Sequence, residues 1–476
     1  MPTSPTHAAA AEVTVIDTHA RAPLHFLLGA ALLWLVASGV LALIAAIQLH
    51  SPAFFAESAC FTHGRTQAMR ETAFVYGWAG NAGMAIGLWI LGRLGGSPLR
   101  GLNWVVIGGA FWNVAIAAGL AGIATGEMTS FSLLQMPRAV QPMMVFAYAA
   151  MAISGVLAWT GRRREGMFAA QWYAVAALFL FPWMLTATQT MLLWTPVRGV
   201  VQVIGAHWFA QGVVSLWLVP LALAAAYYVV PKVVGRPLPS YEAAPLGFWT
   251  LMVVGTWTAG RHLIGGPVPA WIPTMAVVGY SMLLFHYLVL ALNLRIILFG
   301  SGTSLQFISF GLLAYLASGL LETLTAFRGV AVHTQFTFFA TGLEQLTLYG
   351  AVSMLFFGAI YFMVPRLSGR AWASPVLASG HAVMVMTGVV GSVAALMWAG
   401  TMQSELLADA KVPAGEIFAQ IRFPLLFNTA AQFVLLGANL LLLVNFVRTA
   451  CPCQAEPADA PKFFRQPASP LEAPAS

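Results

Sequence analysis

The sequence predicts an all-α, polytopic membrane protein of about twelve transmembrane helices in three pseudo-symmetric four-helix arcs. Three observations predict it. Hydrophobic residues make up 59% of the chain and charged residues only 8%, far below the roughly 25% charged of soluble domains. Apolar stretches close to the roughly 20 residues that cross a bilayer follow one another almost without pause. Two of these stretches, four apart in order, end in the same ten-residue pattern. Backbone groups in lipid have no water to bond, so such segments must be helices that satisfy their own N–H and C=O groups.

In chain order the spans are expected over residues 24–49, 68–91, 104–124, 140–159, 167–193, 200–230, 246–262, 275–298, 305–327, 336–364, 376–399 and 424–447. Residues 1–23 lack the basic start and cleavage pattern of a signal peptide. The first helix is therefore expected to be retained behind a cytoplasmic amino-terminal segment, with residues 24–447 as one transmembrane domain. Residues 448–476 are rich in Pro, Ala and Ser without apolar periodicity, and are expected to be a disordered cytoplasmic tail.

The net charge of +7 does not point to nucleic acid, because most of the 22 Lys and Arg fall in loops on one side, the run Arg162, Arg163, Arg164 among them. The positive-inside rule then puts both termini in the cytoplasm of a bacterial cell, with the lipid of the inner membrane as the main partner. Cys60 falls in an outer loop, and Cys451 and Cys453 in the tail. Opposite sides of a membrane exclude a bridge, and two tail thiols fall short of the four ligands of a structural zinc site.

The internal echo lies at the ends of the sixth and tenth spans. Tyr227, Val230, Pro231, Lys232, Gly235 and Arg236 align without a gap on Tyr361, Val364, Pro365, Arg366, Gly369 and Arg370. Proline stops each helix, and a cation follows at the C-terminal end, where the helix dipole favours it. The second span ends more loosely in Leu91, Gly92, Arg93. A spacing of four helices predicts three four-helix units about an axis normal to the membrane.

Three stretches carry a family resemblance. They are Gly64, Arg65, Tyr76, Gly80 and Asn81 at the second span; Pro231 to Tyr241 with Phe248, Trp249 and Trp257 into the seventh; and Leu346, Tyr349 and Gly350 closing on Val364 to Leu367 in the tenth. In order and spacing they resemble subunit I of the haem–copper oxidase superfamily, most of all the cbb3-type cytochrome c oxidases, with the nitric oxide reductase large subunit as a relative. The resemblance implies twelve helices in three arcs, two haems and a nearby metal. It also implies respiratory membrane subunits or cytochrome c-type subunits as partners.

Carried over by position, the implied ligands are absent. The low-spin haem positions fall on Arg70 and Gln345, and the high-spin haem position on Leu343. Guanidinium is protonated and has no lone pair to give iron. Leucine has no donor atom, and a Gln amide is not among the usual axial ligands. The copper-site positions read Gln211, Arg261 and His262, with His207 as the alternative helix-six position one turn earlier. His207 and His262 are thus the possible residual metal ligands. Arg70 is expected to meet Glu344 or Gln345 as a polar staple between the two helices that iron would otherwise join. Bulky Trp78, Trp208, Phe209, Trp257, Phe338 and Phe339 stand ready to fill space left by haem. Glu322 carries an expected proton or partner role. His286, Glu71 and Arg295 read as satisfied core or interface residues; His333 and His381 lie near helix ends, where snorkelling suffices.

The expectation is a ligand-degenerate homologue of the oxidase subunit: non-catalytic, without cofactor, and accessory, assembly or regulatory in a respiratory system. Two alternatives stand beside it. One is an active terminal oxidase or nitric oxide reductase that keeps haem b on unusual ligands. The other is a transporter or proton path.

Overall fold

The computed structural model describes residues 5–450, with side chains from Glu12 onward. The helices, in order, are α1 Pro5–His50, α2 His63–Gly95, α3 Leu102–Thr125, α4 Gln141–Thr160, α5 Ala169–Trp194 and α6 Val200–Val234. Then come α7 Ala244–Val254, α8 Trp271–Phe299, α9 Thr303–Ala326, α10 Phe338–Ser368, α11 Pro375–Leu407 and α12 Arg422–Ala450. Two short helices, Arg328–Thr334 and Ala414–Gln420, lie before α10 and α12. Among the described residues there is no strand.

Three helices form the inner ring. The apolar windows of α2, α6 and α10 are each 94% buried, whereas the other long helices bury half or less. The outer helices turn large apolar side chains outward, among them Phe146, Leu313 and Phe433, as lipid contact requires. Each inner helix widens once from i→i+4 to i→i+5 hydrogen bonding, over Ala73–Gly80, Val213–Leu218 and Leu346–Ser353. Each then ends on a left-handed glycine shortly after a cation: Arg93 with Gly96 (φ +64°), Lys232 with Gly235 (φ +70°), Arg366 with Gly369 (φ +67°). A side chain at that φ meets its own backbone, which is why glycine holds the position. The ten-residue echo is therefore two-thirds of a threefold feature, and three four-helix arcs is the observed plan.

Three expectations change. First, eleven helices among the described residues are long enough to cross a bilayer, and the twelfth is interrupted. The expected span 246–262 is α7 followed by a tighter turn over Trp257–Leu263. Thr258 Oγ1 donates to the Gly255 carbonyl at 2.6 Å, so a side chain competes with the next backbone turn there.

Second, residues before 24 are not a separate segment, because α1 runs on through Pro23. Its extension is fastened to the inner ring. Asp17 is buried; it accepts from Trp89 Nε1 at 2.9 Å and lies 3.4 Å from Arg93 Nη1. Arg21 Nε donates to the Leu367 carbonyl at 2.5 Å. Third, α12 continues past Arg448 to Ala450. The expected disordered tail, with Cys451 and Cys453, otherwise lies outside the described residues.

The amino-terminal end of α10 is set by a close crossing with α11. A Cβ at Gly400 would overlap the backbone of Phe339. Gly400→Val is expected to destabilise the protein by about 1–3 kcal/mol, the usual range for overpacking. Thermal unfolding in detergent reads this out, and an unchanged midpoint would contradict the crossing.

Candidate functional site

Intramembrane charges gather where the inner helices widen. Ala73, Val213 and Leu346 open the widened turns, and Arg70, Gln211 and Gln345 lie within one turn before them. Such widenings are frequent at functional sites. Here they stand beside a cavity of about 200 Å³.

Arg70 and Glu71 of α2 line the cavity, with His207 and Gln211 of α6, Glu322 of α9, and Glu344 and Gln345 of α10. Arg261 and His262 enter from the turn after α7. Ser38, Gly39 and Ala42 of α1 form a wall of small residues, and Gln432 and Asn439 of α12 face it. Leu133, in the connection between α3 and α4, covers one side with its backbone held at φ +57°; its carbonyl accepts from the Tyr76 hydroxyl. Every site residue expected from the sequence faces this space except Leu343. That side chain is buried and lines a smaller adjoining void with Arg261, His262, Thr325 and Gln335.

The hydrogen bonds divide the charged groups into held and open ones. Glu71 accepts from Gln67 at 3.0 Å and Gln135 at 2.6 Å. Glu322 accepts from Thr347 at 3.2 Å. Arg261 donates to Thr325 Oγ1 at 3.0 Å and lies 5.4 Å from the centre of the Tyr280 ring. Tyr349 donates to Asn439 at 2.6 Å. Arg70, in contrast, has its Nε buried without a partner and forms no ion pair, since the two salt bridges among the described residues join Arg93 to Asp17 and Arg163 to Glu12. The expected staple is thus not a direct bond: Arg70, Glu344 and Gln345 border the same cavity and leave space between them.

His207 and His262 are brought together. Their rings are parallel within 6° and 5.3 Å apart. Among the described residues no three His, Cys, Asp or Glu side chains gather as a metal would need. The remaining buried histidines are used elsewhere. His286 bonds the Gly247 carbonyl at 2.8 Å and the Tyr315 hydroxyl at 3.1 Å. His381, expected near a helix end, is fully buried and bonds Tyr361 at 3.0 Å. The expected space-fillers also work elsewhere. Trp78 donates to Ser353 at 2.9 Å and packs on Phe357, while Trp257 is 54% exposed. Phe74 and Tyr349, 5.5 Å apart, are the aromatic pair at the cavity wall.

Sequence reasoning treated Glu71 as an ordinary core or interface residue and passed over Ser38, Gln432 and Asn439. The last two belong to a series of amide side chains on an otherwise apolar helix. That is the signal by which an intramembrane site can be found.

Twelve helices in three arcs, with a polar cavity enclosed by α2, α6 and α10, define a class: multi-span membrane subunits built on a pseudo-threefold ring. Residues 23–455 match the family described as Cytochrome C and Quinol oxidase polypeptide I. The chain belongs to this family and is a cbb3-like haem–copper oxidase subunit I homologue. It is 23% identical over 395 residues to "Cytochrome c oxidase subunit 1" of Rhodobacter capsulatus, which covers 78% of this chain and 73% of that one. It is 23% identical over 359 residues to the "Cbb3-type cytochrome c oxidase subunit CcoN1" of Stutzerimonas stutzeri, covering 72% and 75%. The fold matches a structure titled "Cryo-EM structure of a heme-copper terminal oxidase dimer provides insights into its catalytic mechanism", with a TM-score of 0.77 and 13% identity over 94% of this chain and 88% of that one.

Arg261 lines the same cavity as Glu322 and Glu344, and its charge opposes theirs. Arg261→Met is expected to cost about 3–5 kcal/mol, the price of leaving buried charge unpaired. Adding Glu322→Gln to that variant is expected to return part of the loss. Denaturant titration in detergent measures both, and strict additivity of the two substitutions would show that the groups do not interact.

Proposed function

We propose that this chain is a non-catalytic member of its family. On this reading it keeps the scaffold and partner surfaces of an oxidase subunit I and serves as an accessory, assembly or regulatory membrane component of a respiratory system. One observation carries the reading. The cavity bordered by α2, α6 and α10 presents the Arg70 guanidinium and the Gln345 amide where the family resemblance places the axial ligands of the low-spin haem, and the high-spin position is the hydrocarbon of Leu343 at the adjoining void.

Donor chemistry supports it. Arg70 offers only N–H groups, one of them already orphaned. Gln345 is the α10 group at the low-spin position, and Leu343 faces another void. His207 and His262 are the two imidazoles on the cavity. They come from α6 and the turn after α7, so they do not supply a clamp between α2 and α10. These residues do not fit a haem held in the family manner, and no step through haem or copper is derived for them. A regrouped site holding haem b is the competing reading, and it would have to be built on those two imidazoles.

The same reading places the protein in the bacterial inner membrane with both termini cytoplasmic. Arg93, Arg162, Arg163 and Arg164 then lie at the inner face. Its partners are the lipid bilayer and other respiratory membrane subunits or cytochrome c-type subunits, and not nucleic acid.

A pyridine haemochrome assay with iron and copper analysis on the purified protein tests the proposal. The expected result is no b-type band on reduction and far less than one iron or copper per chain. A stoichiometric band that disappears in His207→Ala or His262→Ala would establish the haem b reading instead.

A further inference from the structure

We infer that the cavity is a binding site for a small zwitterion, whose carboxylate is taken by Arg70 and whose ammonium is taken by Glu344. This rests on the reading that no haem occupies the space. It adds the chemical class of what does.

Arg70 and Arg261 face the cavity with Glu71, Glu322 and Glu344. Glu71 is held by two Gln amides and Glu322 by Thr347. Arg261 is held by Thr325 and the face of Tyr280. Among the described residues that leaves one cation and one anion without a hydrogen-bond partner: Arg70, with its Nε orphaned, and Glu344, whose side chain is open to the cavity. They form no ion pair, although both border the same space. Unpaired charge within a membrane protein is costly, and two opposite charges kept apart at one cavity is the arrangement that a bridging group completes.

The charge balance selects among bridging groups. An isolated carboxylate would satisfy Arg70 but add to an existing excess of anions. An isolated amine would satisfy Glu344 and leave the guanidinium fork empty. A zwitterion satisfies both and leaves the net charge of the cavity unchanged. The planar fork of Arg70 matches a carboxylate bidentately, and Gln345 beside it offers an amide donor and acceptor. Phe74, Leu133 and Leu348 supply apolar wall for a short aliphatic middle.

Depth agrees with this. Arg70 lies seven residues into α2 and Glu344 six into α10, so both sit about 10 Å below the starts of their helices at 1.5 Å per residue. Both line the cavity together with Leu133 of the connection between α3 and α4.

Equilibrium dialysis of the full-length purified protein against radiolabelled glycine, β-alanine and γ-aminobutyrate tests this. These probes differ in the span between their charges. The haemochrome assay is run on the same preparation. Expected is saturable binding of at least one probe, near one per chain. It should compete poorly with acetate or methylammonium and weaken at least about tenfold in both Arg70→Gln and Glu344→Gln. Arg70→Lys, which keeps the charge but not the fork, should fall between. If a neutralised variant does not fold, the competition pattern on the unmodified protein decides alone. Lack of saturable binding up to about 10 mM would overturn the inference in favour of a water-filled cavity. So would equal competition by acetate, which marks a plain anion site, or binding retained in both variants. A haem-positive preparation would sink the proposed function. A haem-free preparation that binds none of the probes would sink only the zwitterion.

Discussion

Charge that cannot reach bulk water must be compensated by what surrounds it, and much of this structure is arranged around that constraint. At the carboxyl-terminal end of α2 Asp17 sits against Arg93 and Trp89, so a carboxylate from the extension of α1 is fixed there. Beside the cavity Arg261 lies among Thr325, Tyr280 and Glu322. Both clusters join helices that are distant in sequence. A buried pair is weak evidence of net stabilisation, because desolvation offsets much of the attraction, but breaking one leaves an expensive orphan. The polar groups therefore restrict which packings of an otherwise greasy bundle are tolerated.

The inner ring turns that restriction into a site. α2, α6 and α10 each contain a widened segment and a glycine-capped cationic end. Repetition of the same device three times makes the ring nearly regular, and the outer helices need only cover it with apolar faces. The cavity sits by the widened segments, where backbone regularity is already interrupted. A space framed by the shared fold and lined by charged and amide side chains is the physical content of the functional reading.

Much of the fold was legible in the chain itself. The apolar runs located eleven crossings, and the Val-Pro-cation echo disclosed the repeat. The interruption after α7 was not legible, because Thr258 closing on Gly255 looks like any other threonine in an apolar helix. Nor was the start of α1, since residues 12–23 are polar enough to read as a tail until Asp17 and Arg21 find partners on α2 and α10. At the site, the family resemblance brought Arg70, His207, Gln211, Arg261, His262, Glu322, Glu344 and Gln345 into consideration together. It could not assign their contacts, and the direct bond expected from Arg70 to Glu344 or Gln345 is replaced by open space.

By itself the sequence determined that this protein is a helical membrane bundle, because the run length of apolar side chains is a local fact. Only the tertiary structure decided which charges are paired, that His207 and His262 lie side by side, and that Leu343 looks into a different void from its neighbours. Those outcomes depend on how helices separated by hundreds of residues approach and rotate. Differences of an ångström between them, invisible to any local pattern, separate a salt bridge from a cavity.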